Sequence, residues 1–185
     1  MRKLIAWDLM TLDGCFEGPA PWSLDFHMSV WGEELEAFSL EQGAAAGTLL
    51  FGRATYEGMA AHWTTAEGPI ADFMNGVEKV VASRSLAAVD WNNSRLLQGE
   101  LLAAVTALKQ QPGKDIFVFG SANLTADLLR HGLIDEFRIC LAPVVLGAGQ
   151  PLFKPSDRRI DMTLLEARPL KTGGIILRYA VPAVG

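Results

Sequence analysis

The chain is poor in the residues and patterns on which most metal and covalent chemistry depends. Its 185 residues include two cysteines and three histidines. Cys15 and Cys140 stand far apart, with no CxxC and no Cys/His ligand spacing, so a zinc site is excluded and no metal is expected. Two reduced thiols suit a cytosolic chain, although distance along the sequence leaves a disulfide between them open. His27, His62 and His131 are scattered. Of these, His131 sits where a helix ends beside Gly132, a position at which a cation favours the helix dipole. There is no Walker A lysine loop, no GxGxxG and no GxSxG, which removes the P-loop, the usual dinucleotide fingerprint and the nucleophile elbow. Basic clusters are also missing. Arg158-Arg159 is only a pair, flanked by Asp157 and Asp161, and the net charge is −5, so no nucleic-acid partner is expected. No apolar run approaches the length of a membrane span. The amino-terminal MRKLIAWDLMTLDG begins basic, but Asp8 and Asp13 interrupt it, so it fails as a signal peptide. A soluble, cytoplasmic protein acting on a small molecule, with no membrane partner, is the expectation.

What is present is enough apolar residue for a real core. Half the chain is hydrophobic and a fifth is charged, and the length suits one domain over residues 1–185. The stretch that organises it is Asp115 to Arg130, DIFVFGSANLTADLLR. Ile116-Phe117-Val118-Phe119 suits a strand buried on both faces. Gly120 breaks the run, and a helical pattern with Leu124, Leu128 and Leu129 follows. A helix that starts at the carboxyl end of a strand offers unpaired N–H groups and the positive end of its dipole, which together favour an anion. Taken alone, the segment reads first as a plain strand–helix connection without a ligand.

The same pattern recurs. Thr48 to Phe51 reads as a buried strand, followed at once by Gly52-Arg53-Ala54-Thr55 and a short helix over Tyr56 to His62. Arg53 and Thr55 suit phosphate oxygens, although Arg53 is also placed to pair with Glu57. Val77 to Ser83 reads as a third strand, ending in Ser83-Arg84-Ser85, a polar and basic turn suited to a ribose phosphate. Three such turns at strand ends point to a nucleotide. Elsewhere, Lys3 to Met10 reads as a first strand and Phe16 to Phe26 as a loop carrying Trp22, either a plug over the core or a pocket wall. Met28 to Gln42 reads as a helix with a solvated glutamate face, ended by Gly43 and Gly47. Pro69 to Asn75 and Gly99 to Gln110 read as helices, and Ser94 to Leu97 and Leu133 to Leu141 as strands. Met162 to Leu170 and Ile175 to Val181 read as two strands joined by Lys171-Thr172-Gly173-Gly174, a hairpin signal. Alternating strands and helices predict a mostly parallel sheet covered on both faces, with the hairpin added at one edge.

FGRATYE (Phe51 to Glu57), the segment FGSANLTADLLRHGLIDEFRICLAPVVLGAGQPLF (Phe119 to Phe153) and the MTLDG turn (Met10 to Gly14) carry a resemblance. Together they resemble the dihydrofolate-reductase-like superfamily, closest to the branch formed by the C-terminal reductase domain of bacterial riboflavin biosynthesis proteins. The resemblance covers nearly the whole chain and implies a three-layer α/β fold with a mostly parallel central sheet and a C-terminal antiparallel hairpin. It also implies an NADPH-dependent reductase. By it, Gly52, Arg53 and Thr55 contact the cofactor phosphates, and Ser83 and Arg84 hold the 2′-phosphate. Gly120, Ser121, Ala122, Asn123 and Leu124 cradle the pyrophosphate, for which a cis or strained Gly120–Ser121 link is expected. Asp13 lies near the nicotinamide, with Trp22 on the substrate side.

Two departures from folate reductases stand out. Those enzymes place Gly-Gly where this chain has Gly120-Ser121, a substitution that is similar to relatives of the riboflavin type. They also carry a buried acid on the first helix, just after a Trp-bearing loop. Asp25 is the candidate here, with Glu33 and Glu34 as competitors. The deaminase domain that accompanies many riboflavin reductases is not among these residues, so a stand-alone reductase is expected. The step implied is reduction of the ribose of 5-amino-6-(5-phosphoribosylamino)uracil. A dihydrofolate-type pteridine reductase and a non-catalytic nucleotide-binding homodimer are the alternatives. The homodimer would form through the terminal hairpin and the apolar Ile134 to Val145 strand.

Overall fold

The computed structural model describes residues 1–183. Its main strands are β1 (Leu4–Thr11), β3 (Ala46–Gly52), β4 (Glu78–Ala82), β5 (Ser94–Leu96), β6 (Asp115–Phe119), β7 (Glu136–Ala142), β9 (Thr163–Pro169) and β10 (Ile175–Ala180). They form one eight-stranded sheet in the order β5-β4-β3-β6-β1-β7-β10-β9. The first six in spatial order pair in parallel. The terminal hairpin β9–β10 then adds antiparallel to β7, as its Gly-bearing turn predicts. β7 is an interior strand and β9 the edge. A two-stranded ribbon of β2 (Cys15–Glu17) and β8 (Gln150–Pro151) lies apart, in stretches the sequence reads as loop.

Alternation along the central strands makes two cores. Ile5, Trp7 and Leu9 of β1 belong to one apolar cluster, Leu4, Ala6 and Met10 to the other. The first is covered by α1 (Glu33–Ala45), α2 (Arg53–Trp63) and α3 (Pro69–Gly76), through residues such as Leu35, Phe38, Tyr56 and Met74. The second is covered by α4 (Leu101–Gln110) and α5 (Ala122–Arg130), through Val105, Leu108, Leu124 and Leu128. Strands buried on both faces explain why β1, β3 and β6 read as continuous apolar runs.

Most sequence boundaries hold to within two or three residues. The largest difference is α1, expected from Met28 but beginning at Glu33. Asp25–Ser29 forms a separate 3-10 turn, and the N–H groups of Val30 and Trp31 both go to the His27 carbonyl. Glu33, Glu34 and Glu36 then occupy the first turn of α1, where negative charge suits the helix dipole. α2 begins at Arg53, three residues earlier than expected, so Arg53 and Thr55 belong to its first turn. Both cysteines are buried and free. His131 caps α5, its Nδ1 2.8 Å from the Asp127 carbonyl.

The topology creates one special place. The chain leaving β1 passes through α1 to β3, on one side of β1. The chain leaving the adjacent β6 passes through α5 to β7, on the other side. Neighbouring strands whose connections depart in opposite directions leave a crevice at their carboxyl ends, where open α/β sheets bind ligands.

Candidate functional site

A cavity of about 240 Å³ occupies that crevice, lined by Trp7, Asp8 and Leu9 of β1 and by Phe119 and Gly120 at the end of β6. Its walls also include Trp22, Trp31 and Trp63, so four of the chain's five tryptophans meet there. Trp22 reaches it from the loop after β2. Its backbone is left-handed (φ 63°), its N–H donates to Glu17 Oε1 at 2.5 Å, and its indole rests on α2 at Gly58. A Cβ at Gly58 would fall 1.8 Å from the indole, so only glycine permits this approach.

The polar groups of the wall are nearly all committed within the protein. Glu17 accepts from Trp22. The Ser39 hydroxyl donates to the Leu35 carbonyl at 2.8 Å, and Gln42 Oε1 accepts from Arg138 at 3.4 Å. Thr55 Oγ1 accepts from the Ser121 hydroxyl at 2.6 Å. Among the described residues, two buried atoms of the wall are left without a partner, Asp8 Oδ2 and His27 Nε2. Such orphans are rare in folded proteins and call for an explanation. Burial raises the Asp8 carboxyl well above the usual range, opposed by the nearby Gly120 N–H. Burial lowers His27 to about 4, against the pull of Asp25, so its imidazole is neutral at neutral pH. Among the described residues, no lysine or arginine lines the cavity.

Beside the cavity, three strand ends meet as the sequence suggests. Gly52 stands opposite Ala82 in the β3–β4 register, so Ser83 and Arg84 follow directly beside Gly52. On the other flank, Ser121 Oγ accepts from the Gly52 N–H at 3.0 Å and donates to Thr55, joining the β6 turn to the start of α2. No peptide bond among the described residues is cis. The strain at Gly120-Ser121 takes another form, two successive left-handed residues with φ 60° and 56°. Because Ser121 Oγ is turned to Gly52, it does not cap α5, and the N–H groups of Ala122, Asn123 and Leu124 keep no side-chain partner. The first turn of α2 also has no side-chain cap. Arg53 is exposed and only loosely paired with Glu57, at 3.8 Å. Arg84 is exposed and forms no ion pair among the described residues. Two uncapped helix starts with two exposed arginines, one of them loosely paired, form a surface that can hold phosphates.

Two candidates lie elsewhere. Asp13 is exposed and outside the cavity wall. Its carboxylate accepts from the Thr11 hydroxyl at 2.6 Å and from the N–H of Gly147 at 2.8 Å, which hold it below its ordinary range and tie the β1 turn to the loop after β7. Asp25 is exposed at the start of the 3-10 turn and does not line the cavity, nor do Glu33 and Glu34. The side chain that reaches the cavity from this turn is His27. Asp8 had a signal in the sequence, a lone carboxylate inside an otherwise apolar strand. His27 had none beyond its nearness to Trp22.

Residues 2–176 match the family described as the RibD C-terminal domain. The chain belongs to that family. Its relatives include the uncharacterized protein YyaP of Bacillus subtilis (strain 168), 32% identical over 137 residues, which are 71% of this chain and 72% of YyaP. Among solved structures, a protein of Shewanella sp. PV-4 superposes with a TM-score of 0.79 at 19% identity, over 97% of this chain and 99% of that one. The dihydrofolate reductase of Enterococcus faecalis, complexed with NADP(H) and RAB-propyl, superposes with a TM-score of 0.64 at 13% identity, over 97% and 96%. The deaminase/5-amino-6-(5-phosphoribosylamino)uracil reductase of Thermotoga maritima gives 0.68 at 11% identity, over 98% of this chain and 57% of that longer one. At such identities the superpositions establish the fold, which is α/β and dihydrofolate-reductase-like. Family membership makes the domain reductase-like.

Proposed function

We propose that this RibD C-terminal domain protein is an NADPH-dependent reductase whose small substrate stacks in the tryptophan-lined cavity. The observation that carries the reading is continuity. Gly120 and Thr55 belong both to the cavity wall and to the turns that leave free N–H groups and cations at the strand ends. NADPH, when bound, would supply hydride. The chain's own part is to bind and orient. Ala122, Asn123 and Leu124 would hold the pyrophosphate with their N–H groups, joined by Gly52, Arg53 and Thr55. Ser83 and Arg84 would take the 2′-phosphate. Trp7, Trp22 and Trp31 would exclude water from the reacting faces, which strengthens every polar contact inside.

The wall favours a planar, uncharged heterocycle, as in pteridine-type reduction, because its area is aromatic and no cation faces it among the described residues. Reduction of 5-amino-6-(5-phosphoribosylamino)uracil is the second reading. Family membership and the reductase name of the Thermotoga maritima protein favour it. That substrate carries a phosphate, which would need a cation from beyond the wall. The test is NADPH oxidation with a dihydropterin that lacks the charged glutamate tail in one arm and the aminouracil ribosyl phosphate in the other. Turnover of the pteridine alone supports the first reading, and turnover of the phosphate ester alone replaces it with the second. Binding of NADPH without turnover of any heterocycle would favour a nucleotide-binding protein that does no chemistry.

A further inference from the structure

Asp8 is a carboxyl where a strand packed on both faces should carry an apolar side chain. The residue is 6% exposed, and its Oδ2 has no hydrogen-bond partner. Its place in the sheet limits the groups it can meet. Trp7 is the last β1 residue in register with β6, opposite Phe119. Asp8 is therefore level with Gly120, the first residue past the end of β6, where the two strands part. By alternation it shares the face of Leu4, Ala6 and Met10, the face that α5 covers. The Gly120 N–H lies near enough to oppose the rise in its pKa, and Gly120 opens the turn that leads into the uncapped start of α5. Asp8 thus stands on the phosphate side of the crevice, whereas His27 approaches from the side of α1.

A buried carboxyl with no cation in contact is held as the acid, because leaving a bare charge in an apolar surround costs far more than keeping the proton. No ion pair to Asp8 occurs among the described residues, and no charged side chain contributes to its displaced pKa. An ionised Asp8 would also repel a phosphate at the neighbouring turn. The protonated acid does the reverse, since it offers one O–H donor and keeps a carbonyl oxygen for the Gly120 N–H. Among the described residues Oδ2 meets no acceptor for that proton.

We propose that Asp8 forms the floor of the cofactor site and donates a hydrogen bond from its carboxyl to the bound dinucleotide. This rests on the reading of the crevice as an NADPH site. It assigns Asp8 a binding role and no step of the reaction.

The test is NADPH binding, read by quenching of tryptophan emission in the wild type, Asp8→Asn and Asp8→Leu, with urea unfolding of each ligand-free protein. Asn keeps a donor of the same size. Leu fills the space and removes the orphan. Asp8→Asn is expected to bind within about threefold of wild type, and Asp8→Leu to bind about tenfold more weakly, one hydrogen bond's worth. Asp8→Leu should also unfold at higher urea, because a buried unpaired polar group has been replaced by an apolar one. Opposite movement of stability and affinity is not what a merely structural carboxyl would give. Equal affinity in all three proteins overturns the assignment and leaves the NADPH reading standing, as does equal weakening in both variants. No binding by the wild type overturns both. If Asp8→Leu does not fold, Asp8→Ala takes its place with the same expected loss.

Discussion

Gly58→Ala tests the cavity wall with a single methyl group. The new Cβ would lie 1.8 Å from one indole carbon of Trp22 and 2.1 Å from another, so the indole must leave α2. Three magnitudes decide the outcome. Alanine in place of glycine inside a helix stabilises it by about 1 kcal/mol. Trp22 is 42% exposed where it lies, so roughly 100 Å² of its surface is at stake, worth at most about 3 kcal/mol. Undocking also frees Trp22 from its left-handed backbone, which returns on the order of 1–3 kcal/mol. The gains nearly offset the loss, so the loop should undock while the domain stays folded. The expected result is a stability, from urea unfolding, shifted by less than about 1 kcal/mol, with a changed near-ultraviolet circular dichroism signal and one more tryptophan open to acrylamide. Trp22→Phe supplies the reference for which tryptophan moved. Unchanged spectra and quenching would refute the reasoning, because the indole would then not be resting on Gly58. A loss of more than about 3 kcal/mol would refute it from the other side, by showing that the indole cannot move.

Other predictions address the strand ends and the core. Arg84→Ala should weaken NADPH about tenfold or more and leave NADH unchanged, by titration of both. Equal effects on the two nucleotides would remove Arg84 from the 2′-phosphate. Ser121→Ala should cost about 2 kcal/mol in urea unfolding, because it breaks the bonds to Gly52 and Thr55. Ser121→Gly should cost about 1 kcal/mol less, since glycine takes φ 56° without strain. Lys79 is fully buried, with Nζ donating to the Met74 and Asn75 carbonyls at 2.8 and 3.2 Å and lying over the Trp91 ring. Burial lowers it from 10.5 to about 8. Between those values the unfolded chain binds the proton that the folded chain has released, so wild-type stability should rise with pH over that window, by roughly 2–3 kcal/mol. Lys79→Met should lack that rise, as measured by urea unfolding at pH 7.5 and pH 10.

What was legible in the sequence is what depends on local pattern. Ile116 to Phe119 followed by Gly120 declares a buried strand and a turn, and the structure has both. Gly52-Arg53 and Ser83-Arg84 are legible for the same reason, and the sheet order brings them beside Gly120-Ser121. The terminal hairpin is written in Lys171-Thr172-Gly173-Gly174. The late start of α1 is harder, because Phe26 and Val30 continue the apolar spacing although the chain there is wound as a 3-10 turn. The cavity was legible only through Trp22, readable as a pocket wall, while the contact that builds it was out of reach. Trp22 lies against Gly58, thirty-six positions away, and nothing near either residue announces the contact. Asp13 and Asp25 are conspicuous in sequence because acids beside turns are easy to notice, yet both lie outside the cavity wall. Asp8 and His27 line it, and their displaced protonation comes from burial, which is a property of the packed molecule.

The most direct measurement is titration of the purified protein with NADPH, following tryptophan emission, since four tryptophans line the cavity beside the strand ends proposed to hold the cofactor. Saturable quenching is expected, weaker with NADH and weakened by Arg84→Ala. Absence of saturable binding with either nucleotide would contradict the claim that these strand ends form a cofactor site.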